Sequence, residues 1–185
     1  MPGFKLKDPT RIGVGVLGAG RIARRVHLRN LATIRTVDVV VVADPDPAAA
    51  EAGRELARAK RASLDPMEAI HDPDVEAVVI IAPTSLHAPL IEAALRAGKA
   101  VWTEKPIAQD LAETERIVDL WREVQIPMQV GFMRRFDPGY VRAKELVDSG
   151  ALGRIEQFRA LSRDANSPPL EFLLTCGGSF LDMSV

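Results

Sequence analysis

Residues 12–44 read IGVGVLGAGRIARRVHLRNLATIRTVDVVVVAD. A short apolar run, IGVGVL, tightens into Gly18-Ala19-Gly20, passes through an amphipathic segment, and gives way to a second apolar run, VDVVVVA, that closes on Asp44. Continuous apolar runs of this length suit strands buried on both faces, and the segment between them, residues 21–32, suits a helix. The glycines fall in the pattern Gly18-x-Gly20-x-x-Ala23. In a strand-to-helix turn Gly18 can take a backbone conformation closed to other residues. Gly20 leaves the main chain open to an approaching pyrophosphate, and Ala23 lets the helix lie close to the sheet. The helix N-terminus then offers N–H groups and a partial positive charge to phosphates. Asp44 follows Ala23 by 21 positions, where a carboxylate accepts hydrogen bonds from the ribose hydroxyls of NAD and repels the 2′-phosphate of NADP. Arg21, Arg24 and Arg25 would soften that repulsion. No Gly-Lys-Ser/Thr follows the glycines, which disfavours a nucleoside-triphosphate loop.

The same alternation continues outward. Strands are expected at about 12–17, 37–43, 75–82, 100–103 and 127–131, with helices at about 21–32, 46–60, 85–97, 110–124 and 138–149. Five strands, each followed by a helix, predict an α/β fold: a Rossmann doubly wound parallel sheet over residues 1–150. Gly98 and Gly150 fall where left-handed C-caps belong, and Asp110 and Ser63 precede helical patterns as candidate N-caps. After Gly150 the pattern changes. Residues 154–163, RIEQFRALSR, alternate in polarity like a strand with one solvated face, and a proline-containing loop follows at 167–170. Gly177-Gly178-Ser179 then opens an apolar segment running to Val185. Residues 151–185 therefore read as the beginning of a second α+β domain.

Composition excludes several classes. With 24 Lys+Arg against 25 Asp+Glu the net charge is -1, so no global basic field draws the chain to nucleic acid or anionic lipid. Cys176 is the one cysteine and can form no internal disulfide; it reads as a buried structural thiol. No segment approaches the ~20 apolar residues of a membrane span, and MPGFKLKDPTR lacks a signal-peptide core, so a cytoplasmic protein is expected.

Four further segments carry a family resemblance. APTSLHAPLIEAALRAGKAVWTEKP at 82–106, GFMRRFDPGY at 131–140, SRDANSPPLEF at 162–172 and GGSFLDMSV at 177–185 occur in this order. Together they resemble the glucose-fructose oxidoreductase, inositol dehydrogenase and rhizopine-catabolism oxidoreductase family, and its inositol 2-dehydrogenase branch in particular. The resemblance implies an NAD-dependent enzyme that moves a hydride from a secondary hydroxyl of a cyclic polyol or sugar to the cofactor. Two rival readings stay open: a dinucleotide-binding sensor or pseudoenzyme, and a family member acting on another sugar or on an imine.

The expected sites follow. Glu104-Lys105-Pro106 comes after the fourth expected strand, at the carboxyl edge where open α/β sheets bind ligands. A lysine there can pair with a substrate oxygen and favour the ionised form of a hydroxyl being oxidised. The resemblance implies a cis bond before Pro106. Gly18, Gly20, Arg21, Ile22, Asp44, Pro83, Thr84, Glu104 and Lys105 form the expected cofactor site, and no metal is expected. His87 reads as a structural histidine rather than a proton carrier. By resemblance Arg135 and Asp164 contact substrate, although a solvated charge patch and a turn aspartate are equally available readings. In the branch that the chain resembles, a helix carries an Asp and, four residues on, a His on the same face, the His taking the hydroxyl proton; the resemblance implies that Asp182 is the first member of that pair. The second position would follow Val185, so truncation within the second domain and impaired turnover are expected. The segment 151–185 is expected to be disordered or to form a homo-oligomer through an open strand edge.

Overall fold

The computed structural model describes residues 4–161 together with Arg163 and Leu170. It divides into two compact units, residues 1–130 and 131–185.

The first unit is built on six parallel strands: β1 Ile12–Leu17, β2 Val37–Ala43, β3 Arg61–Ser63, β4 Ala77–Ile80, β5 Ala100–Thr103 and β6 Met128–Val130. Their order across the sheet is β3-β2-β1-β4-β5-β6. The chain winds outward from β1 in one direction, crosses back, and winds outward in the other. The reversal leaves a crevice beyond the carboxyl ends of β1 and β4, the place where open sheets of this kind hold ligands. Helices α1 Leu28–Leu31 and α2 Pro47–Ala57 cover one face, and α3 Pro66–His71, α4 His87–Arg96 and α5 Leu111–Val124 cover the other. Valines dominate the inner strands because each strand must bury both of its faces, and the core divides accordingly. Val14, Val16, Val39 and Val42 pack against Ala23, Leu28, Ala49 and Ala57, while Val78 and Ile80 pack among Ile70, Ile91, Leu95 and Ile117.

The sheet thus has six strands, not the five expected. β3 is three residues long and pairs only with β2, Val41 facing Arg61 and Ala43 facing Ser63. So short an edge strand leaves no run of apolar residues to read. Ser63 ends β3 and does not cap a helix. The cap of α3 is Asp65, whose side chain accepts the Met67 N–H at 2.8 Å, with Pro66 in the first turn. Ser63 sits two residues earlier, where its hydroxyl donates to Glu68 at 2.7 Å. The other terminal signals hold. Asp110 accepts the Glu113 N–H at 2.8 Å, and Gly98 and Gly150 take positive φ values of 76° and 73°.

The first helix is not regular. A π turn over Ala23–His27 precedes α1, and the Leu28 N–H donates to the Ala23 carbonyl five residues back. Five residues would place Ala23 and Leu28 roughly 140° apart on a regular helix of about 3.6 residues per turn. The wider turn brings both onto the sheet-facing side, where each is fully buried.

In the second unit, α6 spans Pro138–Asp148, capped by Asp137, which accepts N–H groups from Gly139 and Tyr140. Residues 154–161 are exposed and carry no strand, contrary to the alternating pattern. A strand is completed by a neighbour that takes up its main-chain groups, and among the described residues none lies alongside. Cys176, Asp164 and Asp182 fall outside the described residues.

Candidate dinucleotide site

Main-chain bonds carry the sheet past its last strand residues and fix the exits of five strands relative to one another. Asp44 N–H donates to Ser63 at 3.1 Å, Gly18 N–H to Ala43 at 2.8 Å, Ile81 N–H to Leu17 at 2.8 Å, and Glu104 N–H to Ile80 at 2.9 Å. Gly18, Asp44 and Glu104 are thereby held along one edge, and Ala82-Pro83-Thr84 leaves β4 between them.

Two glycines in the first turn do different work. Gly18 has φ of 101°, and a Cβ there would lie 2.6 Å from the Ile81 carbonyl oxygen, so both backbone conformation and the closeness of the β4 exit exclude a side chain. A Cβ on Gly20 would meet nothing within 4 Å. Gly20 faces open space at the start of a helix whose first N–H groups have no intrahelical acceptor. That space fits a phosphate group lying against the main chain, and a larger side chain would fill it. Arg21 and Ile22 follow, both exposed. Arg24 and Arg25 line an open groove with Arg29 and the α2 residues Ala52, Glu55 and Leu56.

Asp44, at the end of β2, is half-buried. Its Oδ2 accepts the Ala19 N–H at 2.8 Å and its Oδ1 the Asp46 N–H at 3.0 Å. The carboxylate therefore braces the glycine turn while retaining lone pairs on both oxygens for a hydroxyl donor.

At the end of β5, Glu104 and Lys105 are half-buried, and the Lys105–Pro106 bond is cis. Glu104 Oε1 lies 2.8 Å from His27 Nε2, and Oε2 accepts the Lys105 N–H at 3.1 Å. Burial by itself would raise the Glu104 pKa. The His27 hydrogen bond and charge, with the Lys105 N–H and ammonium, outweigh it and hold the carboxyl below the usual carboxylate range. The His27 ring leans on Trp102, centroids 4.9 Å apart.

His87 is buried, with Nδ1 2.6 Å from the Pro106 carbonyl and Nε2 2.9 Å from the Ala82 carbonyl. Both ring nitrogens are engaged by main chain, as expected for a structural histidine. Thr84 is half-buried and Pro83 exposed on the turn before α4. Arg135 is exposed on the short 3₁₀ helix Met133–Phe136 of the second unit. Sequence reasoning passed over His27. A histidine just past a glycine turn could have been paired with the acid before Lys105 once both were placed at one sheet edge.

Among the described residues no group of three or more His, Cys, Asp or Glu side chains is disposed to hold a metal ion, and no helix is long and apolar enough to cross a membrane.

Strand order, glycine turn and the acid at the end of β2 define a dinucleotide-binding Rossmann domain. A family model described as "Oxidoreductase family, NAD-binding Rossmann fold" matches residues 12–132, and the chain belongs to this family, that of glucose-fructose oxidoreductase, inositol dehydrogenase and the rhizopine-catabolism oxidoreductases. It is 39% identical over 177 residues to scyllo-inositol 2-dehydrogenase (NAD(+)) of Bacillus subtilis, covering 95% of this chain and 51% of that protein. It is likewise 39% identical over 171 residues to inositol 2-dehydrogenase of Rhizobium meliloti, covering 92% and 51%. The crystal structure of scyllo-inositol dehydrogenase from Lactobacillus casei with bound NAD(H) and scyllo-inositol superposes with a TM-score of 0.72 at 34% identity, over 77% of this chain and 42% of that one. The chain spans about half the length of the curated relatives it matches.

Proposed function

We propose that this chain supplies the cofactor half and the substrate-side lysine of an NAD-linked dehydrogenase acting on a secondary hydroxyl of a cyclic polyol of the inositol type. The observation that carries the reading is the convergence at one sheet edge of the open face of Gly20, the carboxylate of Asp44 and the Glu104-Lys105 pair. The relatives named for inositol oxidation support the substrate class.

When bound, NAD supplies the hydride acceptor. The residues of this chain bind the cofactor and orient and polarise the substrate. Gly20 and the helix that follows take the pyrophosphate, Asp44 accepts from the adenosine ribose, and Pro83 and Thr84 flank the dinucleotide with main chain. Arg21 and Ile22, exposed at the same turn, border the phosphates. Lys105 donates to the substrate oxygen and, by its positive charge, favours release of the hydroxyl proton. Glu104 keeps Lys105 in register through the N–H bond. Arg135, and beyond the described residues Asp164 and Asp182, are assigned to the substrate side, with Asp182 orienting the proton acceptor.

The test is a pair of measurements on the whole protein carrying Lys105→Ala. NAD affinity by calorimetry should fall far less than turnover, because the lysine borders the cofactor but acts on the substrate. Turnover of myo- or scyllo-inositol, followed by absorbance of the reduced cofactor, should fall by about 10²- to 10⁴-fold. Undiminished turnover would remove Lys105 from the reaction.

A further inference from the structure

Lys105 is flanked by two residues that are each held by a histidine from a different helix. On its N-terminal side, Glu104 uses one carboxylate oxygen for His27, at 2.8 Å, and the other for the Lys105 N–H, at 3.1 Å. On its C-terminal side, the Pro106 carbonyl lies 2.6 Å from Nδ1 of His87. The far nitrogen of that ring, Nε2, is 2.9 Å from the carbonyl of Ala82, at the exit of β4. His27 closes the π turn that follows the glycine turn, and Trp102 on β5 supports its ring. Two struts therefore converge on one residue. One runs from the glycine-turn helix through His27 and Glu104, and the other from the β4 exit through His87 and Pro106.

We propose that His27 and His87 are positioning residues for Lys105, fixing its main chain from both sides against the two segments that border the dinucleotide crevice. Neither ring is spent on hydrophobic packing alone. An imidazole carries its two polar atoms on separate edges of a rigid ring, so it sets two neighbouring polar groups at a fixed separation. His87 is buried in the core, with one ring nitrogen against each of two loop carbonyls, so the rigid ring spaces those loops. His27 is partly exposed and can be altered without opening the core, which separates positioning from bulk stability. The interest of the proposal rests on the reading of Lys105 as the substrate-side lysine, but the position of Lys105 can be measured independently of that role.

The test uses the chain with its lysines reductively methylated with a carbon-13 label, the Lys105 resonance being assigned by its loss in Lys105→Arg. In His27→Ala the protein should remain folded, with a cooperative thermal transition, while the Lys105 resonance shifts and broadens and those of Lys60 and Lys144 stay in place. His27→Gln, which can still donate to Glu104, should restore the original resonance. His87→Phe should displace it as well; where that variant fails to fold, His87→Gln, which retains one donor, takes its place. A Lys105 resonance unchanged in folded His27→Ala and in the folded His87 variant overturns the proposal. Normal turnover in Lys105→Ala would instead overturn the catalytic reading and leave the resonance result standing.

Discussion

The Ala19 N–H, inside the glycine turn, donates to Oδ2 of Asp44 at the end of the neighbouring strand, at 2.8 Å. The residue proposed to meet a ribose is therefore also the residue that closes the glycine turn proposed for the phosphates. A hydrogen bond to a charged acceptor contributes about 1.5–3 kcal/mol. Asp44→Ala should accordingly lower unfolding free energy by an amount in that range, read from urea denaturation at neutral pH. Stability equal to that of the unaltered chain would show that the bond does not brace the turn.

The glycines of the same turn should separate folding from binding. Gly18→Ala imposes a side chain at φ of 101° and 2.6 Å from the Ile81 carbonyl oxygen, and strain of this kind costs about 1–3 kcal/mol. A Cβ at Gly20 meets no atom within 4 Å, so Gly20→Val should unfold within about 1 kcal/mol of the original while losing NAD affinity by at least about tenfold. Thermal melting and calorimetry on both variants check the contrast, and a Gly20→Val protein that still binds NAD normally would place the pyrophosphate elsewhere.

Glu104 predicts an acid-side loss of stability. Its carboxyl is held below the usual range by His27 and Lys105 against the opposing effect of burial. A depressed folded-state pKa means that the unfolded chain takes up a proton first as pH falls. The contribution is complete above the ordinary glutamate value of about 4.3 and is lost as pH drops through the lower folded value. Unfolding free energy should thus fall more steeply below about pH 4.3 in the original chain than in Glu104→Gln. Parallel curves for the two proteins would contradict the assignment.

The π turn should be felt through Leu28, which it delivers to the sheet. Leu28 is fully buried among Ala23, Val39 and Val42. Leu28→Ala should cost about 2–5 kcal/mol in denaturant unfolding, the range for truncating a closed core leucine. A cost below about 1 kcal/mol would mean that the helix moves in to fill the space.

Much of the first unit was legible from residues alone, and the failures have physical causes. The two long valine-rich strands, the glycine turn and the caps at Asp110, Gly98 and Gly150 announce themselves through local chemistry. β3 does not, because three residues, one of them Arg61, hold no period. The cap of α3 falls on Asp65 and not on Ser63 because Pro66 opens the helix and the short Asp65 carboxylate reaches the Met67 N–H. The π turn escaped because its apolar spacing of five belongs to no regular helix. The His27 and Glu104 contact joins positions 77 apart in the sequence, so it exists only once the strand order is known. Residues 154–161 alternate like a strand, but alternation supplies a face and not a partner.

The most direct measurement is calorimetric titration of the chain with NAD and NADP, repeated on Asp44→Ala. NAD should bind the unaltered chain at least about tenfold more tightly than NADP, since a like charge set against the 2′-phosphate costs several kcal/mol. The Asp44→Ala protein should lose most of that preference through weaker NAD binding and stronger NADP binding. Absence of NAD binding, or equal affinity for the two cofactors in the unaltered chain, would contradict the assignment of residues 12–44 as an NAD site governed by Asp44.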